Sequence, residues 1–355
     1  VGKQTWSTRA SLFEIFLLAS GFCALTICPP ISASEAADST SVSVHESLLQ
    51  EASAVGPLIQ SQLGRRMLEA VASLPTLEKP RTLHTNAATK TVLNEMEAAN
   101  LPESLKNNFE AKDRDEEFYY YTGYGTPLAA VHAYDLVAEQ GLPPADKLRI
   151  IEFGYGSIGQ LRLLASLGAD VFGIEVSKTL RALYSYPGDT GDIAAASVEG
   201  ARPGHLTLLN GHFPGDTALT NQLKGKYDIF LSKNTLKRGY IHPEREVDPR
   251  MLVHLGVDDT TFVTDVYDLL KPGGYFMIYN LHPKLTGPDA EKYIPWSDGR
   301  SPFDRKLLET VGFEIIDFDR DDTAFARRMA VAFGWDKEMD LENDLFGMYT
   351  LLRKK

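Results

Sequence analysis

Cysteine is almost absent: the 355 residues hold two, Cys23 and Cys28, both near the N-terminus. That excludes a disulfide scaffold and leaves no cysteine cluster for a metal. His-x-x-x-His pairs and calcium loops are missing too, so no metal site is expected. Asp258-Asp259 and the acidic run 319–322 read more simply as helix N-termini or exposed turns. No Gly-x-Ser-x-Gly occurs, which removes the serine-hydrolase elbow. Basic charge is in deficit: 36 Lys and Arg against 48 Asp and Glu give a net charge of −12. Such a chain is poorly suited to gripping phosphate backbones, and no nucleic-acid partner is expected. After Cys28 no apolar run approaches the roughly 20 residues that a membrane span requires.

The start of the chain is different in kind. Lys3 and Arg9 precede an apolar stretch from Leu12 to Cys28, and Pro29-Pro30-Ile31-Ser32-Ala33-Ser34 follows. A charged start, a short apolar run and a small-residue exit are the parts of a secretory signal. Residues 1–33 are therefore expected to be a signal peptide or an uncleaved membrane anchor. A genuine signal makes the protein exported, periplasmic or secreted; otherwise it is cytoplasmic or membrane-anchored. Apart from such an anchor, no stable membrane association is expected.

The remainder has an ordinary globular composition, 43% hydrophobic and 24% charged. Its length suits about two domains, or one large domain with a substantial appendage. Residues 34–45 are small and polar, a flexible lead-in. From Glu46 to Phe109 apolar residues fall at helical spacing, as in Leu48, Leu49, Ala52 and Val55, with Pro57, Pro75, Pro80 and Pro102 as punctuation. Residues 34–115 are thus read as a lead-in and a helical cap, and 116–355 as the main domain.

From Leu148 short apolar strands alternate with helical segments, with strands expected at 148–153, 171–176, 205–209, 227–232, 275–279, 313–318 and 346–352. That rhythm predicts an α/β domain with a mostly parallel sheet covered on both faces. Between the first strand and the following helix lies Gly154-x-Gly156-x-x-Gly159, with Glu175 at the end of the second strand. Glycines there let backbone approach a ligand, and the second acid accepts ribose hydroxyls. Taken alone, this pattern fits a nicotinamide-dependent oxidoreductase. Glu152, inside the first strand, faces a pyrophosphate badly and suits a cationic amino group or a sulfonium.

With Glu152-Phe153-Gly154-Tyr155-Gly156, Lys271-Pro272-Gly273-Gly274-Tyr275-Phe276 and the strand order of the C-terminal third, the sequence resembles the class I (Rossmann-like) S-adenosylmethionine-dependent methyltransferases. The resemblance spans roughly Tyr119 to Lys355. It implies a Rossmann-like seven-stranded sheet whose last strand is a reversed hairpin insertion, here with a helical N-terminal extension. It implies S-adenosylmethionine as methyl donor, with Gly154, Gly156 and Ser157 at the methionine end and Glu152 near its ammonium. Glu175 would take the ribose hydroxyls and Val176 would pack on the adenine, near His212 and Phe213. His212 stands where the family often has Asp, a departure. Within 119–127 Tyr124 is the tyrosine expected to close over the cofactor, while Thr126-Pro127 reads as a helix start.

Methyl transfer from a sulfonium is an in-line displacement in which alignment does most of the work. Candidates around the methyl are Lys233, Asn234, His242 and His282, in the loops after the fourth and fifth strands. Lys233, Lys237 and Arg238 make a basic patch that would suit an anionic acceptor or form a solvated rim. The stretch from Gly239 to Asp259 is long for a connection and reads as a lid over the acceptor. The function expected is methyl transfer to a small-molecule acceptor. The alternatives are an exported, non-catalytic binding protein on the same scaffold, or an NAD(P)-dependent oxidoreductase.

Overall fold

In the computed structural model, residues 42–355 are described. The expected signal or anchor, residues 1–33, lies outside them, as do both cysteines. Among the described residues no helix is long and apolar enough to cross a membrane.

The chain opens with the helix Val44–Val55, started by a capping box in which Ser43 and Glu46 satisfy each other's backbone N–H groups. A second helix, Gln62–Glu69, follows. The helical expectation then fails. Arg81–Asn86 (β1), Thr91–Asn94 (β2) and Glu110–Arg114 (β3) form an antiparallel sheet in the order β2-β1-β3. Within β1 only Leu83 is buried, so the segment gives little apolar periodicity against which the helical reading of 46–109 could be checked.

The main sheet is built from Arg149–Phe153 (β4), Asp170–Glu175 (β5), Gly191–Ile193 (β6), Gly204–Asn210 (β7), Tyr227–Lys233 (β8), Leu270–His282 (β9), Phe313–Asp321 (β10) and Phe346–Lys354 (β11). Its order is β10-β11-β9-β8-β4-β5-β7-β6. Neighbours from β9 through β8, β4 and β5 to β7 are parallel. β11 inserts antiparallel between β9 and β10, the expected reversed strand. The count departs from expectation by one, because the three-residue β6 adds an antiparallel edge beside β7.

Alternation along the strands divides the interior. Ile150 and Leu231 join the core beneath the helices Val131–Ala138 and Gly159–Ser166, whereas Ile151 and Phe230 join the opposite core under the helix Asp259–Leu269. The second core is rich in phenylalanine, with Phe262 stacked on Phe303 at 5.4 Å between ring centres. The N-terminal helices share the first core: Leu48, Met67 and Val71 are fully buried in the cluster that contains Ile150.

Polar contacts fix the extension to the sheet domain. The backbone N–H groups of Gln60 and Ser61 donate to Asp135. Arg181 makes a bidentate pair with Glu97 and also donates to the Val92 carbonyl. Buried Asp189 accepts from Tyr119 at 2.8 Å and from Arg81 at 3.1 Å, while the Arg81 guanidinium lies 3.8 Å from the Tyr186 ring centre.

Candidate functional site

β4, β5 and β8 all end at one cavity, at the carboxyl edge where the chain leaves β4 for one face and β8 for the other. Open parallel sheets place ligands at such a switch point. The loop after β4 turns sharply because Gly154 (φ +71°) and Gly156 (φ +62°) occupy the left-handed region. The turn is tightly covered: a Cβ on Gly154 would fall 2.0 Å from Thr235 Oγ1, and one on Gly156 would meet the Tyr124 ring at 3.0 Å. Thr126 caps the short helical turn at Pro127, as expected, and Pro127 packs over Gly159.

Glu152 is buried at the end of β4. Tyr134 donates to its Oε2 at 2.5 Å and Gln160 Nε2 to its Oε1 at 2.8 Å. Burial pushes the Glu152 carboxyl up to about 7 against the pull of these bonds and of Lys233. Gln160 Nε2 also donates to the Tyr155 carbonyl at 2.7 Å, so the amide is fixed and its Oε1 is left buried without a partner. Glu152, Gln160, Ser157 and Lys233 border a small cavity of about 30 Å³ beside the glycine loop.

Next to it lies the main cavity, about 280 Å³. Glu175 reaches it from β5, with Oε1 accepting from the N–H groups of Val176 and Ser177 at 2.8 and 3.1 Å. Burial raises its carboxyl above the ordinary value, opposed by those backbone donors and by Gly156. Val176 and His212 line the same cavity with exposed side chains. Phe213 lines it too but is buried, its ring 5.7 Å from both Phe230 and Phe262, so its first role is in the aromatic core. Of the tyrosines in 119–124, Tyr124 borders both cavities. Tyr119 is committed to Asp189, Tyr120 to the Pro75 carbonyl and Tyr121 to Glu51.

The four catalytic candidates separate. Lys233 lines both cavities, and no hydrogen bond is formed by its ammonium group, which burial brings down to about 8. Asn234 also borders both, but at φ +63° its Oδ1 accepts from Leu281 N–H at 2.7 Å, tying β8 to β9. His282 lines the main cavity with a ring that burial keeps neutral, its pKa lowered to about 4. Its Nδ1 donates to the Pro283 carbonyl at 2.9 Å, and its buried Nε2 has no partner. His242 is not brought to the cavity lining: its Nε2 meets Asp259 at 2.8 Å at the start of a surface helix. Of the expected basic patch, Lys237 turns inward to donate to the Leu281 carbonyl at 2.6 Å, and Arg238 lies 4.0 Å from Asp304.

The long connection after Gly239 forms a wall, with Arg250, Met251, Leu252, Val253 and His254 lining the cavity. Sequence reasoning missed Gln160, Thr235, Trp296, Trp335 and Met339. Gln160 alone left a trace, as a polar residue inside an apolar helix; the tryptophans lie in three-residue 3-10 turns too short to show periodicity. Among the described residues no group of three or more His, Cys, Asp or Glu is placed to hold a metal.

The sheet order, with its inserted reversed strand and the glycine turn after β4, is that of the class I, Rossmann-like methyltransferases. The chain has this fold. No protein-family model matches the sequence, and no curated protein matches it significantly. Solved structures that align with it include an S-adenosylmethionine-dependent methyltransferase from Mesorhizobium loti, 18% identical over 62% of this chain and 98% of that one, with a TM-score of 0.36. TehB from Haemophilus influenzae is 14% identical over 79% and 86%, at 0.37. Magnesium protoporphyrin IX methyltransferase from Synechocystis, with bound S-adenosylhomocysteine, is 15% identical over 63% and 80%, at 0.31. Scores this low carry no argument about the site, and the fold stands on the strand order.

Proposed function

We propose that the protein is an S-adenosylmethionine-dependent methyltransferase acting on a small molecule. The observation that carries this is the pairing of Glu152 with the unpartnered Gln160 Oε1 beside the glycine loop. A buried carboxylate and a free acceptor side by side are complementary to an ammonium group, as a dinucleotide pyrophosphate is not. Glu175, two strands from Lys233, supplies the acceptor for ribose hydroxyls, and Val176 offers an apolar surface to a base. The bound donor supplies a methyl group on a cationic sulfur. The chain's part is to orient donor and acceptor and to exclude water, for which Tyr124 and the 250–254 wall are placed. A cavity of about 280 Å³ suits a small-molecule acceptor beside the donor.

The test is to extract the purified protein under denaturing conditions and analyse released ligands by mass spectrometry. S-adenosylmethionine or S-adenosylhomocysteine, enriched over a Glu175→Ala variant, is the expected result. A nicotinamide dinucleotide would overturn the reading in favour of the oxidoreductase.

A further inference from the structure

Lys233 is the one catalytic candidate whose charged group remains open to both cavities. The pleat explains its position: Leu231 pairs with Glu152 across the β4–β8 ladder, so Lys233, two residues on, projects to the same face as Glu152 and just beyond it. The carboxylate that faces Lys233 is therefore Glu152, whose oxygens already accept from Tyr134 and Gln160. When an ammonium group occupies the place beside Glu152, Lys233 shares its counter-charge. A desolvated cation in that position favours a second anion nearby.

Most of the remaining lining of the main cavity is apolar and aromatic, broken by His212, His254, His282 and Arg250, the last of which is paired with Asp248. Trp296 and Trp335, both half-buried, line it together with Met251, Leu252, Met339 and Leu345. Two indoles and flexible thioethers form walls suited to a flat ring system. The carboxylates at its border, Glu175 and Asp344, come from β5 and from the segment before β11, not from the β8 side where Lys233 sits.

We propose that this cavity receives a flat, largely apolar acceptor bearing an ionised oxygen, a carboxylate or a phenolate, and that Lys233 pairs with that oxygen. The methylation chemistry and the sharing of Glu152 between Lys233 and an ammonium rest on the reading above; the oxyanion preference itself can be measured without it. In the transfer, an oxygen lone pair forms the new C–O bond as the S–C bond breaks, its electron pair staying on sulfur. The sulfonium becomes a neutral thioether and the oxyanion a neutral ester or ether. Lys233 is a binding residue that remains charged throughout, and no proton moves.

Calorimetric titrations of the whole chain with 2-naphthoate and its neutral analogue 2-naphthalenemethanol test this, each with and without S-adenosylhomocysteine. The carboxylate is expected to bind about tenfold more tightly than the alcohol. Lys233→Met should abolish that preference and Lys233→Arg should retain it, with thermal unfolding confirming that both variants fold. S-adenosylhomocysteine affinity should change by less than about threefold in Lys233→Met. Equal binding of the two probes, binding of neither, or a preference that survives Lys233→Met overturns the proposal. So does a tenfold loss of S-adenosylhomocysteine affinity in Lys233→Met, which would assign the cation to the donor's own carboxylate. Failure of the wild type to bind S-adenosylhomocysteine at all, with the naphthoate preference intact, would sink the methyltransferase reading and leave the oxyanion site standing.

Discussion

Glu152 holds together the local chemistry and the stability of the site. Its folded pKa of about 7 lies above the ordinary 4.5, so between those values the folded state holds more protons than the unfolded one. Stability from this group is therefore lost as pH rises from 4.5 to 7, by about 3 kcal/mol in all. Buried His282, with its pKa lowered to about 4, contributes in the opposite sense between pH 4 and 6.5, so the Glu152 contribution is read as a difference. In urea unfolding of the ligand-free protein at pH 5 and pH 8, Glu152→Gln should lose less, or gain more, stability than the wild type over that range, by about 3 kcal/mol. The same ionisation favours an ammonium ligand, so S-adenosylhomocysteine should bind more tightly as pH rises through 7 in the wild type. In Glu152→Gln that dependence should be flat. An unchanged pH slope in the variant would show that the carboxyl titrates elsewhere.

At the scale of elements, the docking of the small sheet on the main domain depends on Asp189. It is 3% exposed and accepts from Tyr119, Arg81 and the Tyr186 N–H. Asp189→Ala would strand a half-stacked guanidinium and a buried hydroxyl, and should cost about 3–5 kcal/mol in denaturant unfolding. Asp189→Asn keeps an acceptor for Tyr119 and should cost less. Equal stability of wild type and Asp189→Ala would mean that the sheet is held by its apolar contacts alone.

Elements were legible in the sequence where periodicity is strong and local. The core strands of the main domain lie where β-branched and apolar runs fall between turn residues, and the glycine turn follows β4 as expected. β1 to β3 were hidden because Lys112, Asp113 and Arg114 give an exposed strand no apolar alternation, and Leu83 is the sole fully buried side chain of its strand. β6 was hidden by its three-residue length. In the site, the residues delivered by strand ends were legible: Glu152, Gly154, Gly156, Glu175 and Lys233. His242 is not brought to the cavity lining, because a loop position in sequence does not reveal that an aspartate seventeen residues on will claim the ring. Trp296 and Trp335 reach the cavity from three-residue 3-10 turns, whose placement no local spacing encodes.

For the whole molecule, the layered sheet and the extension share one core beside the two adjoining carboxyl-edge cavities. The N-terminal helices share the core under β4, and Glu51 from the first helix bonds to both Tyr121 and Thr126 beside the glycine loop. The extension thus supports the Tyr124 wall of the site. Under the function proposed above, an adenosine-bearing donor unites these parts: it would place its ammonium at Glu152 and its ribose at Glu175. The direct measurement is calorimetric titration of the protein with S-adenosylhomocysteine, beside Glu175→Ala. Micromolar binding to the wild type, weakened at least about tenfold in the variant, is the predicted result. No binding by folded wild-type protein, or equal binding by both proteins, would contradict the assignment.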